Sequence, residues 1–225
     1  MAQSGKQVTY QRIGWVRYSN RLQLSERVAF VAEVDNRVFL SEFREQTFSL
    51  RSAVRYTFHP QIDATLGFTY AQQYPQNPES DLVVPELRPQ QDITLKQEIG
   101  KVKLNHQYRL EERFIRKTIE DELASGYRFN FRFRYRLQGE VPLWHGETQE
   151  VKLVVSDEVM LNAGKSIEYN TFDQNRLYGG VQWEVSPALA LELGYMKWHQ
   201  QRPSGSNYFN RDVARLSVSH KLQLY

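Results

Sequence analysis

The chain has 225 residues, of which 40% are hydrophobic and 24% charged, with a formal net charge of +3. That composition excludes a disordered chain, and so small a net charge gives no footprint for nucleic acid. Cysteine is absent, which removes disulfides, thiolate metal sites and a cysteine nucleophile, and no apolar run approaches the ~18 residues of a membrane helix.

Period-two alternation dominates and helical periodicity is nearly absent. The opening MAQSGKQ reads as a mature N-terminus behind an added Met, without a signal peptide; residues 1–10 are expected to thread a lumen or stay disordered. Strand candidates follow at 11–24 and 27–38. In 47–58, Phe48, Leu50, Val54, Tyr56 and Phe58 share one face, and Ser49, Arg51, Arg55 and Thr57 the other. In 61–72, Ile62, Ala64, Leu66, Phe68 and Tyr70 oppose Asp63, Thr65, Gly67 and Thr69. Residues 73–90 carry Pro75, Pro78, Pro85 and Pro89 and read as a long loop, because proline lacks the N–H that a ladder needs. Strands resume at 91–99, 101–116 and 126–138. The last contains YRFNFRFRYRLQ, where aromatic residues alternate with Arg128, Asn130, Arg132, Arg134 and Arg136. Further candidates lie at 149–161, 174–185, 188–200 and 209–224.

Short turns at Ser25-Glu26, His59-Pro60, Ile99-Gly100-Lys101 and Ser186-Pro187 alternate with longer polar links at 39–46, 73–90, 117–125, 162–173 and 201–208. A soluble antiparallel sheet also alternates, with its apolar face on a core. These strands, however, approach the ~9–11 residues that cross a bilayer at a tilt, and no helix or second sheet is evident to cover their apolar faces. Trp15, Tyr18, Tyr70, Tyr127, Trp183, Tyr195 and Trp198 fall toward strand ends, where interfacial girdles sit. The expected fold is therefore all-β: a single antiparallel up-and-down transmembrane β-barrel over residues 1–225, in a bacterial outer membrane. Eleven candidates conflict with the usual even count, so twelve strands are expected, or ten if two candidates are loops, with both chain ends on one side. The expected partners are outer-membrane lipid and other envelope proteins, with no nucleic acid and no cofactor.

The inward faces are heavily charged. Arg109, Arg113, Arg128, Arg132, Arg134, Arg136 and Arg176 form a lumen set, with Glu33, Asp35, Glu111 and Glu158 as acidic counterparts. Such a set either pairs internally and fills a small barrel, or attracts anionic solutes as charged pore rings do. His106 lies in the apolar phase between Leu104 and Tyr108, where a lipid-facing imidazole is costly; it is the one weak catalytic candidate. No serine shares its phase on 91–99 or 126–138. No metal-binding motif occurs, since Asp157 and Glu158, like Glu111 and Glu112, are adjacent and point to opposite faces of a strand. Gly179-Gly180 reads as relief of crowding in a barrel wall.

Five stretches carry a family resemblance: YRLEERF at 108–114, RFRYRLQ at 132–138, SDEVMLN at 156–162, NTFDQNRLYGGVQW at 170–183 and LELGYM at 191–196. In this order they resemble a family of Bacteroidota outer-membrane proteins catalogued as domain of unknown function 2490. The resemblance implies an outer-membrane barrel with no assigned activity and no catalytic residues to carry over. Its recurrent polar positions map to Arg109, Glu111, Glu112, Arg113, Arg132, Arg134, Arg136 and Glu158. They continue through Asn162, Asn170, Asp173, Gln174, Asn175 and Arg176, with a 162–175 loop folded against the lumen. The expected role is a structural or accessory component of the envelope rather than an enzyme. The alternatives are a narrow diffusion channel for anionic solutes, a lipid-modifying enzyme and a soluble ligand-binding barrel.

Overall fold

The computed structural model describes residues 6–224. It contains eleven strands: β1 (Gln7–Gln23), β2 (Val28–Phe39), β3 (Arg44–His59), β4 (Ile62–Gln73), β5 (Val84–Ile99), β6 (Val102–Ile119), β7 (Glu122–His145), β8 (Glu150–Ala163), β9 (Phe172–Ser186), β10 (Leu189–Gln201) and β11 (Asn207–Gln223). They close into one barrel in chain order. Each sequence candidate becomes a strand, so neither twelve nor ten holds. The reason is parity. A meander reverses direction at each strand, so an odd number leaves the first and last pointing the same way. Here β1 and β11 join as a parallel pair from Gln7↔Asn207 to Gln23↔Gln223, while the other neighbours are antiparallel. The start of β1 and the end of β11 therefore lie at opposite ends of the barrel, not at one end.

Several elements run longer than their apolar pattern. Residues 7–10 are part of the β1 wall and do not thread the lumen; residues 1–5 lie outside the described residues. The link expected at 117–125 shrinks to residues 120–121, because β6 and β7 continue as a polar hairpin to Ile119 and Glu122. Backbone pairing there needs no apolar face. The 73–90 link shortens to 74–83, and β5 includes Pro85 and Pro89. Pro89 keeps its place opposite Phe68 of β4, but the ladder to β6 skips from Leu87↔Phe114 to Gln90↔Glu111. The wall accommodates proline by breaking pairing on one side only.

Alternation sorts the side chains as expected. Leu66, Ile93, Phe133, Leu177, Val181, Leu193 and Leu216 are exposed on the outer surface. The outer surface is not uniformly apolar: Asp157 accepts from Asn175 at 2.6 Å, Asp212 contacts Lys197 and Tyr195, and Gln91 donates to Glu112 at 3.3 Å. Tyr18, Tyr127, Trp183 and Tyr195 point outward, but Trp15 and Trp198 are only 6% and 4% exposed and lie inside, which corrects their assignment to a girdle. The phase carried that information, since Trp15 alternates with outward Val16 and Tyr18 and shares a face with Arg17. Ile13, Trp15, Phe39, Tyr178, Met196, Trp198 and Val213 form an apolar lining on one side of the lumen. On that wall Gly180 and Gly194 are register partners, and a Cβ on either would collide with the Tyr178 ring. The glycine pair makes room for a phenol lying flat on the wall, its hydroxyl donating to Glu192 at 2.6 Å.

Candidate lumen site

The opposite wall is ionic, and cross-strand register builds it. Glu111 on β6 faces Arg132 on β7, with Arg109 and Arg134 as the adjacent pair. Glu111 is fully buried and accepts from Arg132 Nε and Arg134 Nη1, both at 2.6 Å. Arg134 continues to Glu158 at 2.6 Å, and Arg132 to Asp173 at 3.2 Å. Asp173 reaches inward because the β8–β9 register slips between Met160 and Leu161, so that Asp173 and Gln174 are both buried. A bulge of this kind re-aims one side chain out of phase.

Two further carboxylates on β5 extend the network. Glu86, with no exposure, accepts from Arg113 at 2.6 Å and pairs with Arg88 at 2.9 Å. Asp92 holds Arg109 and meets Arg51 at 3.1 Å. Glu33 then joins Arg51 at 3.0 Å to Arg17 at 2.6 Å. Asp35 accepts from Trp15 Nε1 at 2.7 Å. Cations and anions thus alternate around much of the lumen. A buried guanidinium or carboxylate is costly alone, and each here is held by charge-assisted hydrogen bonds.

The sequence-predicted residues divide. Arg109, Glu111, Arg113, Arg132, Arg134 and Glu158 belong to the network. Arg128 does not: it is exposed at the loop end. Arg136 faces the lumen, but its Nε is buried without a hydrogen-bond partner. Arg176 donates to Gln174 at 3.1 Å and approaches Glu158 only to 4.0 Å. Sequence reasoning missed Glu86 and Arg88 by assigning them to a loop, although Glu86, Arg88, Gln90 and Asp92 keep a clean period of two. It also missed Arg37, which forms no ion pair within 4 Å among the described residues and stacks on Trp15 at 3.9 Å.

The network and the aromatic wall enclose a chamber of about 260 Å³, lined among the described residues by twelve arginines and four carboxylates. A vestibule of about 650 Å³ lies toward the longer loops. Loop 74–83 leans over it, held by Arg44 to the Pro75 carbonyl at 3.2 Å and by Ser80 to Asp121 at 2.5 Å. Loop 164–171 folds against the same mouth, through Asn162 to the Asn170 carbonyl at 3.2 Å and Ser166 to the Phe129 carbonyl at 2.7 Å. His106 lies on the outer surface opposite Leu95 and Leu137, its Nδ1 2.9 Å from the Tyr135 hydroxyl.

Residues 13–210 match the family described as protein of unknown function (DUF2490). Among solved structures, LpxR from Salmonella typhimurium is similar in fold, with a TM-score of 0.51 over 85% of this chain and 83% of that chain, at 6% identity. A comparison with curated protein sequences returns no match. The match to the family profile spans nearly the whole barrel, from within β1 into β11, and the chain belongs to the DUF2490 family.

Proposed function

We propose that this is an outer-membrane β-barrel, a single domain acting as a structural or accessory component of the envelope, with a lumen filled by its own ion pairs. The outward apolar rows carry the membrane reading. Every strand has at least 12 residues, more than the ~9–11 that a tilted crossing needs, and its outward positions are dominated by exposed aliphatic and aromatic side chains. Closure supports it, because a closed barrel leaves no unpaired edge in hydrocarbon. The fold likeness to LpxR is consistent with it and carries no activity across.

The interior favours a plug over a wide pore. Arginine–carboxylate pairs span β1 to β9, and two loops lean across one mouth. A narrow anion path is the second reading, favoured by the surplus of arginine over acid in the chamber. Lipid chemistry at His106 is the weakest, since its partner is a phenol and its strand neighbours are leucines. Expression with cell fractionation tests the main reading. The protein is expected in the detergent-extracted outer-membrane fraction, and a monomer stable in aqueous buffer without detergent would contradict it.

A further inference from the structure

Charge and hydrogen bonding are out of balance in one part of the chamber. Glu86, Glu111, Asp173 and Glu192 stand behind or beside the four lining carboxylates, and the twelve arginines still outnumber all of them. Among the described residues, the chamber-facing buried side-chain atoms without a hydrogen-bond partner are Arg17 Nε, Arg37 Nε, Arg136 Nε, Trp198 Nε1 and Gln46 Oε1. Four of those five are donors.

The surplus has a location. Arg37 makes no hydrogen bond or ion pair among the described residues. Arg176 has Gln174 and a distant oxygen of Glu158, a carboxylate already committed to Arg134. Both guanidiniums sit over the same two indoles: Arg37 is 3.9 Å from the Trp15 ring and 5.6 Å from Trp198, and Arg176 is 5.7 Å and 4.2 Å from them. Stacking engages the face of a guanidinium and leaves its edge N–H groups free. Arg37 without a hydrogen bond among the described residues, the Arg176 Nη groups beyond its Nε bond to Gln174, and an orphan indole donor beside them present more donors than the surrounding groups accept. Leaving them uncompensated in a low-dielectric interior is unfavourable, and an anion offsets that cost.

We propose that this pocket binds a compact phosphate-type oxyanion, clamped by the edges of Arg37 and Arg176 with Trp198 Nε1 as a third donor. A tetrahedral, multiply charged group supplies acceptor oxygens in several directions at once, as three separate donors require. The chamber has room for it, and it shares Gln46, Gln73, Arg113 and Gln200 with the vestibule, which marks the loop end as the entrance. The proposal is independent of whether the barrel conducts.

The test uses the full chain folded in detergent micelles, titrated with inorganic phosphate and, in parallel, with glucose 1-phosphate, against chloride at matched ionic strength. Trp15 and Trp198 report from within the pocket, and melting gives an independent reading, because a ligand specific for the folded state raises Tm. Saturable fluorescence change and a higher Tm are expected, the tighter ligand telling a free ion from a phosphorylated sugar. Arg37→Gln and Arg176→Gln are each expected to weaken binding about tenfold or more, and Trp198→Phe severalfold. Without ligand, Arg37→Gln is expected to melt no lower than wild type, since it removes an uncompensated cation; a purely structural Arg37 would give a lower Tm. No saturable response of the wild type to either phosphate above the chloride control would overturn the proposal. So would undiminished binding in the folded Gln variants.

Discussion

Glu111 accepts from two arginines while fully removed from solvent, and Arg109 and Arg88 approach it to 3.8 Å. Removing its charge leaves Arg132 with Asp173 and Arg134 with Glu158 as their remaining carboxylates, and takes away the anion that separates the two guanidiniums. Breaking a buried pair from one side costs about 3–5 kcal/mol, far more than the pair contributes over an apolar replacement. Glu111→Gln is therefore expected to lower the unfolding free energy by about that amount, measured by urea titration of the protein refolded in lipid vesicles. Arg128→Ala, at an exposed position with no ion pair among the described residues, is expected to change it by less than about 0.5 kcal/mol. An equal loss from both would mean that the network does not stabilise the barrel. Alternation within β6, β7 and β8 was enough to aim Arg132, Arg134, Glu111 and Glu158 inward. It could not say that Arg136 Nε would be buried without a hydrogen-bond partner among the described residues, because partners are set by register between strands.

At the scale of elements, eleven period-two runs were legible because each strand has one wet and one apolar face. The ends were not, since β5 and the β6–β7 hairpin extend through proline and charge wherever the ladder can continue on one side. The Asp173 bulge was equally hidden, as one inserted residue leaves no trace in composition. The β9–β10 wall offers a direct check on packing. A Cβ at Gly194 would meet only Tyr178 atoms as its nearest neighbours, so Gly194→Ala must displace the phenol from Glu192. A cost of about 1–3 kcal/mol is expected, by analogy with overpacked cores. In a Tyr178→Ala background that cost is expected to shrink to a few tenths of a kcal/mol, and a double-mutant cycle reads the coupling. Additive effects would show that ring and glycines do not share the space.

For the whole molecule, the odd strand number decides where the chain ends lie. Short epitope tags at the N- and C-termini, probed by protease in sealed, uniformly oriented proteoliposomes, are expected to be cut from opposite sides of the bilayer. Both tags on one side would require an even number of crossings and would contradict the parallel β1–β11 seam. The closed barrel was legible from strand count and loop rhythm. Its parity was not, because an even count was assumed against eleven visible candidates.

The lumen itself is tested most directly by planar-bilayer recording of refolded protein whose insertion is verified by tag accessibility in the same preparation. With ion pairs across the interior and two loops over one mouth, inserted barrels are expected to be electrically silent or to show only brief, small openings. Sustained ohmic conductance from the wild type, comparable to that of an open porin, would contradict a lumen closed by its own arginine–carboxylate network.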